Sequence, residues 1–126
     1  MNYFEQELRR VIGGAAFKSA RPQFIGRACF ITLSGERRAK VEFVTCGVAD
    51  NYEALRVTVL NAREGKIDEL LLRFKDYFAP KKVGTSDSRV PYIWVYQGTP
   101  SWYKQPSSSE IESLGKAVHD YIMLFA

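Results

Sequence analysis

The strongest constraint on the fold of this chain is the alternation of apolar and polar residues in its first half. Residues 39–46 read AKVEFVTC, and residues 55–61 read LRVTVLN. Because successive side chains of a strand point to opposite faces of a sheet, this period of two predicts strands with one face in the core. In the second segment, Leu55, Val57 and Val59 share the predicted core face.

Another strand is predicted just before these two. Residues 26–33 read GRACFITL, which is rich in β-branched and aromatic residues. Residues 34–36 read SGE, a composition typical of a turn. We therefore expect residues 26–33 and 39–46 to pair as an antiparallel hairpin.

Residues 66–78, KIDELLLRFKDYF, fit two interpretations. A helix is indicated by apolar residues at helical spacing, which are Ile67, Leu70, Leu71, Phe74 and Phe78. The preceding residues 62–65 instead suit a type I turn closed by a left-handed Gly65, which is a common link in hairpins. We favour a strand through Phe74 followed by a short helical turn, and the helix remains the alternative.

Amphipathic helices are predicted at both ends of the chain. In residues 2–12, Asn2 is a capping residue, and Gly13 follows the predicted last turn. Apolar residues on one face of this helix are Phe4, Leu8, Val11 and Ile12. The final helix follows Pro106, and Ser109 with Glu112 forms a predicted capping box. Its predicted buried stripe consists of Ile111, Leu114, Val118, Tyr121, Ile122 and Phe125.

A run of strands framed by terminal helices predicts an α+β fold. We expect residues 1–126 to form a single domain, with an antiparallel sheet of five to six strands and both terminal helices packed on one of its faces. Apolar residues make up 46% of the chain, which is enough to build a core without disulfide or metal support.

The composition also bounds the location and the partners. The opening MNYFEQELRR is acidic and amphipathic, unlike a signal peptide, and no long apolar stretch predicts a membrane span. We therefore expect a cytoplasmic protein with no membrane partner. The net charge of +4 adds weak attraction to nucleic acid, so nucleic acid is a second class of partner. The sequence leaves the oligomeric state open.

The residues that could support catalysis do not form a recognisable motif. His119 is the only histidine, and we read it as a flanking residue of the final helix. Cys29 and Cys46 lie roughly opposite each other if their hairpin centres near Arg37, but we expect two reduced, inert thiols. The sequence therefore predicts no enzyme, no catalytic residue, no cofactor and no metal site.

The most informative surface pattern lies in residues 79–105. Tyr92, Trp94 and Tyr96 alternate along one predicted strand, which is paired with residues 101–105 as a hairpin. A strand buried on both faces would place these rings in the core. A strand held by its other face would expose them beside basic residues as anchors for a partner. On the second interpretation, the candidate partner-binding residues are Tyr92, Trp94, Tyr96, Trp102, Tyr103, Lys81, Lys82, Arg89 and Lys104.

Several segments resemble those of a group of small proteins carried by integrative conjugative elements and prophages of Gram-positive gut bacteria. The similar segments are NYFEQELRRVIG, GRACF, RAKVEFVT, YEALRVTVLN, LLLRFKDYF, PYIWVY and WYKQP. The resemblance transfers no site residues. It implies a setting in which small proteins, such as anti-CRISPR proteins, act by binding host or rival machinery.

These expectations combine into two function hypotheses. The first is a non-enzymatic binding protein of a mobile element that inhibits a host defence nuclease, specifically an anti-CRISPR protein acting on a type II effector with its guide RNA. Its basic charge argues against mimicry of DNA. The alternative is a nucleic-acid-binding accessory protein for transfer or replication of the element.

Overall fold

The computed structural model describes residues 3–12, 22–45, 52–78 and 106–125, and the architecture is that of these residues. They form helix α1 (Tyr3–Ile12), a five-stranded antiparallel sheet and helix α2 (Ser108–Met123). The strands are β1 (Gln23–Ile25), β2 (Ala28–Thr32), β3 (Arg38–Thr45), β4 (Tyr52–Leu60) and β5 (Lys66–Arg73). Each strand pairs with the next one along the chain. The predicted α+β class, with a helix at each end of the chain, is confirmed.

One face of the sheet forms the core. Cys29 lies opposite Val41, and Val41 lies opposite Val57, so their side chains share this face. All three are fully buried. Leu8 of α1 and Leu114 of α2 belong to the same buried cluster, so both helices pack on this face, as the sequence predicts.

The two helices approach closely where they contact each other. A Cβ atom added to Gly115 of α2 would lie 2.2 Å from the carbonyl oxygen of Val11 in α1. Only glycine, which has no Cβ atom, lets the two helix backbones approach this closely. The approach brings the apolar faces of both helices down onto the same sheet.

Helix α2 begins two residues earlier than its predicted capping box. The hydroxyl of Ser107 accepts a hydrogen bond from the Glu110 backbone N–H (3.3 Å), and Glu110 accepts one from the Ser107 N–H (2.9 Å). The predicted box of Ser109 with Glu112 is therefore wrong. Both serines have a glutamate three residues later, and the earlier start adds hydrogen-bonded residues to the helix.

The short strand β1 was not predicted from the sequence, and the turn that follows it was predicted as part of a strand. Gly26 and Arg27 form a tight turn that joins Ile25 to Ala28, which are paired residues of β1 and β2. Gly26 has a φ of 60°, which glycine adopts without a Cβ clash. Residues 26–33 are therefore a turn followed by a strand.

Residues 66–78 form the predicted strand and turn. β5 ends at Arg73, and a single 3₁₀ turn covers Phe74–Asp76. In the hairpin loop before β5 the left-handed residue is Glu64 (φ 64°), so its prediction at Gly65 is wrong. The Asn61 side-chain oxygen accepts hydrogen bonds from the N–H groups of Arg63 and Gly65, both at 2.9 Å, and holds this loop.

The hairpin of β2 and β3 centres on Gly35 rather than near Arg37. As a result, Cys29 lies opposite Val41, and the position opposite Cys46, which would follow from a centre near Arg37, is not formed. The register could not be read from the sequence because residues 34–38 allow more than one turn. Cys46 itself lies outside the described residues.

Candidate functional site

The second face of the sheet carries no helix in the described part of the chain, and we call it the open face. Register places Phe30 opposite Lys40, Lys40 opposite Thr58 and Thr58 opposite Glu69, so these side chains line up across four strands. The open face comprises Phe30 and Thr32 of β2, Arg38, Lys40 and Glu42 of β3, Arg56, Thr58 and Leu60 of β4, and Lys66, Glu69, Leu71 and Arg73 of β5.

A row of ion pairs crosses this face. Glu42 accepts hydrogen bonds from the Lys40 ammonium (3.0 Å) and from the Arg56 guanidinium (2.5 Å). Glu69 continues the row, because its carboxylate lies 3.5 Å from Arg56 and 3.0 Å from Lys66. The pairs link these long side chains to one another across β3, β4 and β5.

The electrostatics of Glu42 indicate that it serves these cations as a fixed anion. Its partial burial raises the carboxyl pKa, but the hydrogen bonds and charges of Arg56 and Lys40 outweigh burial, so the net pKa lies below its ordinary value of 4.5. Glu42 is therefore ionised at neutral pH. A carboxylate tied in this way is poorly suited to act as a general base.

Phe30 provides an aromatic ring beside the cations. The guanidinium carbon of Arg38 lies 4.8 Å from the centre of this ring, and the Lys40 ammonium lies 5.9 Å from it. Both distances fall in the range of cation–π attraction. Arg38 also pairs with Glu64 of the β4–β5 loop. The ring is half-buried, so part of its surface remains open to solvent.

The open face carries two adjoining shallow grooves. The first, of about 480 Å³, is lined by residues of β2 to β5 and their loops, and the second, of about 420 Å³, continues toward Ile25 and Arg27. The two grooves share Phe30, Lys40 and Glu42. The lining of the first groove is balanced, with Lys40, Arg56 and Lys66 against Glu42, Glu64 and Glu69. Arg38 and Arg73 at its margins give the open face a small positive excess.

The residues predicted from the sequence as a binding site lie outside the described residues. They are Tyr92, Trp94, Tyr96, Trp102, Tyr103, Lys81, Lys82, Arg89 and Lys104. The open face was missed as a site. The outward-facing residues of the alternating strands could have indicated this site, because the alternation already places Lys40 and Arg56 on the face away from the core.

Among the described residues, His119 and Cys29 do not come together in a reactive site. His119 is half-buried on α2, and its Nδ1 lies 3.5 Å from the Asp120 carboxylate. Burial raises the pKa of the Cys29 thiol to about 12, so this thiol is protonated at neutral pH. Across residues 3–12, 22–45, 52–78 and 106–125, no cluster of three or more His, Cys, Asp and Glu residues is placed to hold a metal ion.

No protein-family model matches this chain, and neither a curated protein nor a solved structure is found to be similar to it. Neither described helix has the length and apolar character that crossing a membrane requires.

Proposed function

We propose that this chain is a non-enzymatic binding protein that holds a phosphate-bearing partner on the open face of its sheet. The observation that carries the proposal is the half-buried ring of Phe30 beside Arg38 and Lys40, at 4.8 Å and 5.9 Å, in a face with a small excess of positive charge. Fixed cations attract phosphate, and an exposed ring stacks on unpaired bases.

The arrangement favours binding over catalysis for a physical reason. Both open-face carboxylates are engaged by lysine and arginine side chains, at 2.5–3.5 Å. They orient the cations and limit self-repulsion among them. A shallow groove that is open to solvent also gives little of the water exclusion that strengthens electrostatic catalysis.

The specific partner that we propose is a type II CRISPR effector loaded with its guide RNA, which the protein would inhibit. The segment resemblance to proteins of mobile elements supports this choice of partner. The basic open face supports contact with the RNA-bearing side of the complex, since a mimic of DNA would require a negative surface.

A second candidate is a nucleic-acid-binding accessory protein of the element. The same positive excess on the open face favours it, because phosphate contacts need no protein partner. The two candidates differ in whether the effector protein is required for tight binding.

Binding to labelled partners at several salt concentrations tests the proposal. The partners are the effector–guide complex, the free guide RNA and a single-stranded DNA. The test variant replaces Lys40 and Lys66 by glutamine. The matched control replaces two exposed lysines outside the sheet by glutamine, Lys75 in the 3₁₀ turn after β5 and Lys116 on α2.

We expect the test variant to weaken binding and to reduce the slope of log affinity against log salt by about 2, one unit for each lost phosphate contact. The control should bind as the wild type does. Equal behaviour of the two variants would remove the open face from the contact. Tight binding to the effector complex with loss of DNA cleavage supports the inhibitor, whereas equal binding to free RNA and DNA with cleavage intact supports the accessory protein.

A further inference from the structure

β5 lies at one end of the strand order in the described sheet, where its outer edge has no paired strand among the described residues. It is 8 residues long, whereas β1 at the opposite end has only 3. An edge strand presents a row of backbone donors and acceptors that can pair with another strand. Leu71 and Ile67 on this strand are large apolar residues with 42% and 46% of their surface exposed.

Residues 69–73 of β5 are self-complementary about Leu71. When two copies of an antiparallel strand are related by a two-fold axis through Leu71, Leu71 faces its own copy, and Glu69 faces Arg73 of the other chain. Leu70 then faces Leu72. Every one of these pairs is either apolar with apolar or acid with base, and cross-strand pairs of both kinds stabilise a sheet.

Neighbouring two-fold registers lack this complementarity. An axis through Glu69 would place two carboxylates face to face, and an axis through Arg73 would do the same with two guanidinium groups. Axes through Leu70 or Leu72 would place a charged residue opposite a leucine. Like charges in directly opposed positions destabilise a sheet, so the pattern selects the axis through Leu71.

We propose that the outer edge of β5 is a self-association surface, on which a second copy of this chain pairs antiparallel about Leu71. Such an isologous pair joins the two sheets into one continuous sheet and gives the closed symmetry common among dimers. Both open faces then lie on the same side. The pair extends the apolar contact of Leu70, which already packs against the core cluster.

The expected dimer is weak. Pairing along one short strand covers less surface than a standard stable interface, so association should depend on concentration. The Glu69–Arg73 contacts also compete with the pairs that Glu69 already makes to Arg56 and Lys66.

Sedimentation equilibrium of the full chain, without nucleic acid or partner, tests the proposal over a range of concentrations. The variants are Arg73→Glu, the charge swap Glu69→Arg with Arg73→Glu, and Leu71→Lys. Arg63→Glu changes the same charge at the exposed tip of the hairpin and is the matched control. Circular dichroism melts confirm that each variant is folded.

We expect a reversible monomer–dimer equilibrium for the wild type and for Arg63→Glu. Arg73→Glu should weaken dimerisation at least tenfold, and Leu71→Lys should do so without loss of the fold, because it places two cations at the axis. The charge swap should dimerise better than Arg73→Glu alone. A wild type that stays monomeric at millimolar concentration, or dimers insensitive to Arg73→Glu and Leu71→Lys, would overturn the proposal. Neither result would bear on binding at the open face.

Discussion

The two faces of the sheet share one backbone but differ in what their side chains do. On the helix-covered face, Val41 and Val57 are completely buried, whereas on the open face the side chains of Lys40 and Arg56 are 38% and 39% exposed. These residues are direct neighbours along β3 and β4. A single pair of strands therefore supplies both the core and a charged surface, so substitutions on the open face leave the core side chains in place.

The largest expected effect lies on the helix-covered face. Changing Leu114 to alanine removes a fully buried side chain and leaves a cavity, which should lower the free energy of unfolding by about 2–5 kcal/mol. Leu71→Ala on the open face is the comparison. It should lower the free energy of unfolding by less than about 1 kcal/mol, because that side chain is already 42% exposed. Urea unfolding measures both. Equal losses would mean that the two faces do not differ as described.

A slightly smaller effect is expected at the helix contact. Gly115→Ala would place a methyl group 2.2 Å from the Val11 carbonyl oxygen, and backbone cannot yield as a flexible side chain would. Overpacking of this kind costs about 1–3 kcal/mol. Thermal unfolding checks it, with Ser113→Ala at an exposed position of α2 as the helix-propensity control. A Gly115→Ala protein more stable than the wild type would show that the helices do not approach this closely.

The contribution of the open face to stability depends on pH through Glu42. The folded pKa of Glu42 is below 4.5, so its ionised form stabilises the fold above that pH, and the contribution disappears as pH falls through the folded pKa. Glu42→Gln should lower the free energy of unfolding by about 1 kcal/mol or less at pH 7. Urea unfolding across the acid range should show wild type and variant converging below pH 4.5. A difference that grows on acidification would contradict the ion-pair row.

The smallest expected effect concerns the thiol on the covered face. Because burial raises the pKa of Cys29 to about 12, this residue should stay unmodified when the folded protein meets a thiol reagent at pH 7. Peptide mass spectrometry, which separates the Cys29 and Cys46 peptides, measures the labelling. Rapid labelling of Cys29 without unfolding would mean that the helices do not seal that face.

Local patterns in the sequence were enough to predict most elements of the fold. The alternation in residues 39–46 and 55–61 placed β3 and β4, and the same logic put Arg56 outside the core. Features that depend on register or on one dihedral angle were missed. The turn at Gly26, the hairpin centre at Gly35 and the left-handed Glu64 each depend on tertiary pairing, which short sequence windows do not encode.

The open face was harder to predict than the fold for a related reason. Phe30, Lys40 and Lys66 come from three strands and have no shared spacing in the sequence, so only the register brings them together. The sequence instead drew attention to Trp94 and Trp102, because aromatic residues cluster there within a short segment. Clusters close in sequence are easy to see, whereas sites assembled across strands require the pairing of those strands.

Lysine footprinting tests most directly whether the open face holds the partner. The folded protein is acetylated with and without the guide-loaded effector, and again with free guide RNA, and each lysine is then quantified by mass spectrometry. We expect a bound partner to protect Lys40 and Lys66 on the open face and to leave Lys75 and Lys116 as reactive as before. Protection of Lys75 or Lys116 with unchanged reactivity at Lys40 and Lys66 would contradict binding at the open face.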